Sequence, residues 1–256
     1  MSYITEPKGA QFSLFQTYNV IDAQTMLGQR FTTEDGTEVV LVLNGAVALT
    51  AGVLVQHSPI VANHENLAVT AFSPVSTQTN TAATVTVTLG ATAATSQQYQ
   101  GGYAVVNAGT GIGQRLRIAS NPAAALSTSM VVTLEDAPVV ALDTTSRIDL
   151  IAAPYSNVVI NPTTPTASPA GVTLYAIPAT VGTAGAAGYV PSYGFVTTKG
   201  IVSCLSDATV ASVGLGISPS ITTAGCITLA IATGSVIGDA YQTSVSAQAR
   251  AVRISL

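Results

Sequence analysis

Tryptophan is absent from this 256-residue sequence, and charged side chains make up only 8% of it, against about 25% in an ordinary soluble domain. The formal net charge is −4. The only close basic pairs are Arg115 with Arg117 and Arg250 with Arg253, so the basic stripe of a nucleic-acid-binding protein is missing. A basic amphipathic helix is missing as well. We therefore expect no nucleic-acid partner and no membrane partner.

Long uninterrupted hydrophobic runs are also missing. Two stretches, 66–114 and 150–198, carry no charge, but Thr, Gln, Asn, Gly and Pro interrupt both of them. This composition excludes a transmembrane helix in either stretch. The N-terminal residues lack the basic and then apolar pattern of a secretory signal. We expect a soluble protein.

Cysteine and histidine occur only twice each. Cys204 and Cys226 are too few for a disulfide framework, and we expect them to be reduced thiols that act as small core residues. His57 and His64 are too far apart for a helical metal-binding pair, and no second ligand follows Glu65 at metalloprotease spacing. We expect no metal site, and we expect both histidines to be satisfied in loops or at the surface.

Hydrophobic residues are plentiful, at 48% of the chain, so a sizeable core can form. The surface must then consist largely of Thr, Ser, Ala, Gln and Asn. Such a surface costs less to desolvate than a charged one. This composition favours extensive contact with other subunits, and the alternative is a neutral, monomeric β protein.

The periodicity of the chain predicts strands. Residues 84–89 alternate threonine with Val85, Val87 and Leu89, which is the period of two expected of a half-buried strand. Residues 114–118 alternate in the same way. The sequence predicts a mostly β fold, built of antiparallel sheets or barrel-like β domains with little helix.

Two segments allow short helices. Asn121 and Pro122 precede three alanines, which permits one or two helical turns. The segment 10–20 is either a short helix or an extended arm that places Phe12, Phe15 and Tyr18 on a neighbouring subunit. Aromatic residues are enriched at interface cores, so these three are the candidate interface residues. The alternative is an ordinary packing contact within the chain.

The predicted domain organisation has three parts. Residues 1–65 form an N-terminal arm and the first strands of a base domain, 66–165 form a β domain, and 166–256 form a C-terminal β region that completes the base domain. The segment 161–170 is the best linker candidate, because its three prolines favour an extended chain.

Catalytic motifs are weak. The glycines in 109–113 are spaced G-x-G-x-G, and the alternating residues after them predict a strand, so a glycine-rich hairpin turn is favoured over a phosphate loop. A G-x-S-x-G nucleophile elbow is absent. Four carboxylates lie near Arg147 in the sequence, and we interpret them as a solvated loop with local charge pairing: Glu135, Asp136, Asp143 and Asp149. We expect no enzymatic activity and no cofactor.

Five stretches carry a resemblance to a known family. They are LGQRFTTEDG at 27–36, GAVALTAG at 45–52, TVTLGATAA at 86–94, YQGGYAVVN at 99–107 and YGFVTTKG at 193–200. These turns and strand ends resemble the capsid decoration (cement) proteins that tailed bacteriophages encode beside the major capsid protein.

The resemblance implies a β-rich structural protein, often a homotrimer, that binds the major capsid protein on the outer shell of the virion after synthesis in the host cytoplasm. It supplies no catalytic residues. A second hypothesis is a head-fibre or tail adhesin that binds host glycan, although the lack of tryptophan weakens it. A third is a β-fold hydrolase.

Overall fold

The structure is a computed structural model that describes residues 3–5, 11–13, 17–18, 27–74, 82–184, 186–207, 212–230, 235–245 and 247–256. Eighteen strands are seen in this part of the chain. In chain order they are β1 (Tyr3–Thr5), β2 (Gln11–Ser13), β3 (Arg30–Thr32), β4 (Glu38–Leu43), β5 (Leu54–Gln56), β6 (Leu67–Ser73), β7 (Thr84–Thr88), β8 (Tyr103–Ala108), β9 (Arg115–Ser120), β10 (Ser129–Leu134), β11 (Arg147–Ile151), β12 (Val159–Ile160), β13 (Pro169–Thr173), β14 (Tyr193–Ser206), β15 (Gly216–Pro219), β16 (Ile227–Leu229), β17 (Gly238–Ala240) and β18 (Gln248–Ser255).

The predicted fold class is confirmed. Helix among the described residues is limited to one 3₁₀ turn at Ala62–His64. The strand pairs are antiparallel except for β14 with β16. In β7 the two valines are buried and the threonines are half-buried, as the alternation predicts, because successive side chains of a strand point to opposite faces.

The chain forms two compact units. Unit 1 comprises Met1–Pro59, Tyr155–Val181 and Val190–Leu256, and unit 2 comprises Ile60–Pro154 and Gly182–Tyr189. The β domain that the sequence predicts at 66–165 overlaps most of unit 2. The proline-rich segment 161–170 is not an interdomain linker, because it lies inside unit 1, where it joins β12 to β13.

Unit 2 is built on a closed barrel of six strands in the order β10, β7, β6, β11, β8, β9. Pairing of β9 with β10 closes the ring, and a closed barrel leaves no strand edge open for pairing with another chain. The buried side chains of this unit form one core, whose largest members are Tyr99, Ile118, Met130, Leu134, Ile148 and Leu150.

Unit 1 is organised around the 14-residue strand β14. Its first half pairs with β13 and β4, and its second half pairs with β18. From β14 the hydrogen-bonded order runs through β16, β15 and β17 to β18, which pairs with β14 again. These five strands form a second closed ring, and its buried core includes Val202, Cys204, Ile217, Ile227, Val252 and Ile254.

The first half of β14 carries a core on each face. Val196 joins a cluster with Val40 and Val42 of β4, whereas Tyr193 and Phe195 join another with Val39 and Leu41 of β4. Uninterrupted apolar runs of this kind are expected where a strand is covered on both sides. Phe31 of β3 belongs to the second cluster, and its ring meets that of Phe195 edge to face at 5.8 Å.

The predicted helical turn after Asn121 is wrong. The Asn121 side chain accepts a hydrogen bond from the Tyr99 N–H at 2.8 Å and donates to the Thr95 carbonyl at 2.9 Å. Ala124 forms an antiparallel bridge with Ala94. The asparagine therefore ties two distant loops together instead of capping a helix, a use of its amide that no local pattern distinguishes from capping.

Candidate interaction surface

The glycine-rich segment 109–113 is the turn between β8 and β9, as predicted. Gly109, Gly111 and Gly113 all have positive φ, which side chains other than glycine rarely adopt. A Cβ atom on Gly109 would lie 2.1 Å from the Thr145 carbonyl oxygen, so only glycine allows this approach. The turn is thereby held against the loop that joins β10 to β11, which spans 135–146.

The 135–146 loop runs alongside the chain segment 114–117, at the start of β9, and is hydrogen-bonded to it at two points. The Glu135 N–H donates to the Arg117 carbonyl at 2.9 Å. Farther along the loop, the Gln114 side chain makes two hydrogen bonds to the backbone of Val140: its Nε2 donates to the carbonyl at 2.9 Å, and its Oε1 accepts from the N–H at 3.0 Å. The two segments therefore have a defined relative position.

Asp143 fastens the far side of the same loop. Its carboxylate accepts hydrogen bonds from Thr110 Oγ1 at 2.7 Å and from Thr145 Oγ1 at 2.6 Å. These hydrogen bonds, with Thr145 contributing most, hold the pKa of Asp143 below its usual value, because they favour the charged form. Ser146 Oγ donates to the Thr110 carbonyl at 2.7 Å. The turn and the loop thus form one fixed structure.

Three large apolar side chains lie exposed on this structure. Val139 is 95% exposed, Ile112 67% and Val140 49%. A Cβ atom on Gly111 would lie 3.5 Å from the Val140 carbonyl oxygen, so the backbone of the turn that carries Ile112 approaches the backbone of the loop at Val140. We call Ile112, Val139 and Val140 the apolar tip. Single exposed hydrophobic residues are ordinary, but three of them on two segments that are joined by hydrogen bonds make this end of unit 2 a candidate contact surface.

The apolar tip is not evident from the sequence alone. Its local signal is the pair Val139 and Val140 directly after Pro138, in a loop that otherwise carries charge. Adjacent apolar residues in a loop can equally serve as strand ends or as core residues. Only the long-range contact through Gln114 shows that these valines stay outside the core.

The three aromatic residues predicted for an interface occupy different places. Phe12 lies in β2, which pairs with β1 and places Phe12 directly opposite Ile4, and Phe15 lies outside the described residues. Tyr18 is half-buried, exchanges backbone hydrogen bonds with Tyr193 at 3.1 and 2.9 Å, and its ring meets that of Phe195 edge to face at 6.5 Å. Tyr18 thus has an intramolecular contact, and an interface role for Phe12, Phe15 and Tyr18 stays a prediction.

His64 lies in the 3₁₀ turn between strands and is fully buried. The sequence predicts a histidine in a loop or at the surface, and the loop position is right, whereas a surface position is wrong. Its Nε2 is 2.9 Å from the Thr92 carbonyl oxygen, and its Nδ1 is hydrogen-bonded to the Tyr99 hydroxyl. Since the carbonyl can only accept, Nε2 donates and Nδ1 accepts from the hydroxyl in the neutral ring. His57 packs its ring edge to face against Tyr155 at 4.7 Å.

The carboxylates that lie near Arg147 in the sequence have different partners in the structure. Glu135 pairs with Arg117 at 3.0 Å. Asp149 accepts hydrogen bonds from the Asn66 N–H and the Asn107 side chain, both at 2.7 Å. Asp143 holds the tip. Charge pairing is thus seen for Glu135, with Arg117 and not with Arg147, whereas Asp143 and Asp149 accept hydrogen bonds from neutral groups.

Three further observations bound the chemistry. Among the described residues, no cluster of three or more His, Cys, Asp or Glu side chains is arranged to hold a metal ion. In the same residues, no helix has the length and apolarity needed to span a membrane. Comparison of the chain with family models, curated proteins and solved structures finds no match.

Proposed function

We propose that this chain is a structural virion protein, a capsid decoration protein that forms a homotrimer, binds the major capsid protein on the outside of the shell and stabilises the head. The observation that carries the proposal is the apolar tip of unit 2. It gives the chain a surface suited to binding a protein, on a scaffold that is already ordered before contact.

Preorganisation makes the tip effective. Binding costs conformational entropy for every loop and side chain that becomes ordered. The hydrogen bonds of Gln114 and Asp143 already fix the segments that carry Ile112 and Val139. These segments therefore lose little further conformational entropy when they bind a partner. An exposed valine or isoleucine that enters an apolar pocket contributes about 1.5–3 kcal/mol when fully buried.

The remaining surface supports dense packing of copies. Eight basic and twelve acidic residues in 256 leave most of the surface neutral, and neutral neighbours repel one another weakly. The closed barrel of unit 2 and the five-strand ring of unit 1 present no open edge in those rings. At those rings, contacts between copies would run through side chains, whereas among the described residues β3 and β12 of unit 1 each pair on one side only. A closed oligomer would limit strand addition at such edges.

Stabilisation would follow from mass action. A protein that binds the assembled shell, and not the dissociated subunits, shifts the equilibrium toward the assembled state. This role needs no catalytic group and no cofactor, and it depends on many weak, repeated contacts.

Copy number in the source particle tests the proposal. Quantitative mass spectrometry of purified virions should find this chain in numbers comparable to the major capsid protein, and cryo-electron microscopy should place it on the outer shell in threefold clusters. A few copies confined to a fibre or to the tail tip would refute the decoration role and favour the adhesin hypothesis. Release of sugar from capsular polysaccharide would instead favour the hydrolase.

A further inference from the structure

The outer face of the unit 2 barrel carries a second feature beside the apolar tip. Tyr103 of β8 lies opposite Arg117 of β9, and Val105 lies opposite Arg115. Since residues two apart share a face of a strand, both arginines lie on the same side as Tyr103. The Arg115 Cζ is 4.6 Å from the centre of the Tyr103 ring, and the Arg117 Cζ is 5.9 Å from it. We call these three residues the arginine face.

The two guanidinium groups differ in their partners. Arg117 Nε lies 3.0 Å from Glu135 Oε2 and 3.1 Å from Oε1. In contrast, no carboxylate within the described part of the chain pairs with Arg115, which is exposed. Asp149 of β11 lies opposite Val105 on the same face, and its carboxylate accepts hydrogen bonds from Asn66 and Asn107. Arg115 is therefore the guanidinium of this face that is left to receive a further carboxylate.

The geometry prepares Arg115 for a planar anion. Stacking on the tyrosine ring orients the guanidinium and is favourable by about 0.5–1 kcal/mol at an exposed site. The N–H donors of a guanidinium match the two oxygens of a carboxylate in a bidentate pair. Ile151, 37% exposed, lies opposite Tyr103 on the third strand, β11, and adds an apolar margin to the face.

We infer that the arginine face binds a carboxylate-bearing segment of a partner protein, with Arg115 as the group that receives the carboxylate. The inference rests on the proposed function, in which that partner is the major capsid protein. The 135–146 loop connects this face to the apolar tip through Glu135 and Val140, so one partner surface can engage both features. A nucleic acid fits less well, because its phosphate spacing requires a longer basic stripe than two arginines supply.

A binding assay with defined probes tests this inference. Immobilised short poly-L-glutamate, poly-L-glutamine, sialyllactose and a single-stranded oligonucleotide are presented to the full chain at low salt. We expect binding to poly-L-glutamate alone, weakened about tenfold by Arg115→Gln and less by Arg115→Lys, which keeps the charge but loses the bidentate geometry. Tyr103→Leu should weaken binding about threefold and Tyr103→Phe should leave it unchanged, because only the ring is needed.

Arg250→Gln is the matched control, since it removes the same charge from unit 1 and should leave binding unchanged. Equal binding by wild type and Arg115→Gln, or an equal loss in Arg250→Gln, would overturn the inference, as would binding of the oligonucleotide or sialyllactose through Arg115. Co-sedimentation with purified heads separates the two proposals. If wild type and Arg115→Gln bind heads equally, the arginine face is not the contact and the decoration role stands. If poly-L-glutamate binds through Arg115 but heads do not bind at all, the site stands and the decoration role fails.

Discussion

Gln114 and Val140 exchange two hydrogen bonds across the end of the unit 2 barrel, at 2.9 and 3.0 Å. The Gln114 side chain thus forms the pair of hydrogen bonds that a neighbouring strand would otherwise make to the Val140 backbone, and it holds this exposed residue in place. The contact explains how a loop with few buried residues keeps a defined position.

Gln114→Ala should loosen the tip and leave the barrel folded. The substitution removes three hydrogen bonds, two exposed ones to Val140 and one to the Gly111 carbonyl at 3.2 Å. Their loss should lower the free energy of unfolding by about 1–2 kcal/mol, and the Val140 amide should exchange with solvent faster. Urea denaturation and hydrogen exchange measure these effects. Gln29→Ala is the control, because Gln29 is exposed and bonds only through its backbone in the described structure. Unchanged Val140 exchange in Gln114→Ala would show that the side chain does not fasten the loop.

Tyr99→Phe should destabilise unit 2 more than its small change in volume suggests. The substitution removes the hydroxyl that donates to buried His64 Nδ1. A buried polar atom without a partner costs about 1–3 kcal/mol. Tyr103→Phe removes a hydroxyl from the half-exposed outer face and should change the free energy of unfolding by less than about 0.5 kcal/mol. Equal denaturation midpoints for the two variants would contradict the assigned hydrogen bond.

The two cysteines should resist alkylation in the folded protein. Both are free and buried, and burial raises the pKa of the Cys204 thiol to about 12 and raises that of Cys226 as well. The thiolate is the reactive form, and burial also blocks access to the sulfur, so Cys204 should react with iodoacetamide at least about tenfold more slowly than a free thiol at mildly alkaline pH. Mass spectrometry should find two labels only after unfolding in guanidinium chloride. Rapid labelling of the native chain, or a disulfide in the fresh protein, would refute this prediction.

Asp143→Asn should destabilise the tip in a pH-dependent way. The pKa of Asp143 is lower in the folded protein than its ordinary value of 3.8, chiefly because Thr145 and Thr110 donate hydrogen bonds to it. The charged form is therefore favoured by folding. The stabilisation is fully present above about pH 3.8 and is lost as the pH falls through the folded-state pKa.

Urea titrations at a series of pH values measure this dependence. The difference in unfolding free energy between wild type and Asp143→Asn should be constant near neutral pH and should shrink in acid. Asp136→Asn, in the same loop, is the control and should show a smaller difference. A gap between wild type and Asp143→Asn that stays the same down to the most acidic pH would exclude the charged network.

Local patterns predicted the elements better than their partners. Alternation identified β7 and β9, and the glycine spacing identified the turn between β8 and β9, because side-chain period and positive φ are local properties. The closure of β14 with β18 could not be predicted, since their pairing joins residues such as Val202 and Val252 that lie far apart in sequence. Asn121 failed as a helix signal for the same reason, because its partners are Tyr99 and Thr95.

The candidate site was harder to predict than the fold. An exposed valine and a core valine look alike in a sequence, and what separates Val139 from Val132 is the position of the loop relative to the barrel. The scarcity of charged residues favours contact with other proteins, but composition does not show which part of the surface makes that contact. The aromatic residues of the N-terminal segment predict an interface, because aromatic residues are common there. In the structure, however, Tyr18 packs on Phe195 of its own chain.

The proposed decoration role is tested most directly by co-sedimentation of the purified chain with virus heads from its source that have been stripped of bound surface proteins. The wild-type chain should bind and saturate at a fixed ratio to the capsid protein. The double variant Val139→Ser with Val140→Ser should remain folded and bind at least about tenfold more weakly, because two apolar anchors are lost. The control double variant is Val213→Ser with Val236→Ser. It changes two valines of unit 1 that are 62% and 63% exposed, and it should bind like wild type. Failure of the wild-type chain to bind heads, or undiminished binding by the tip variant, would contradict the account.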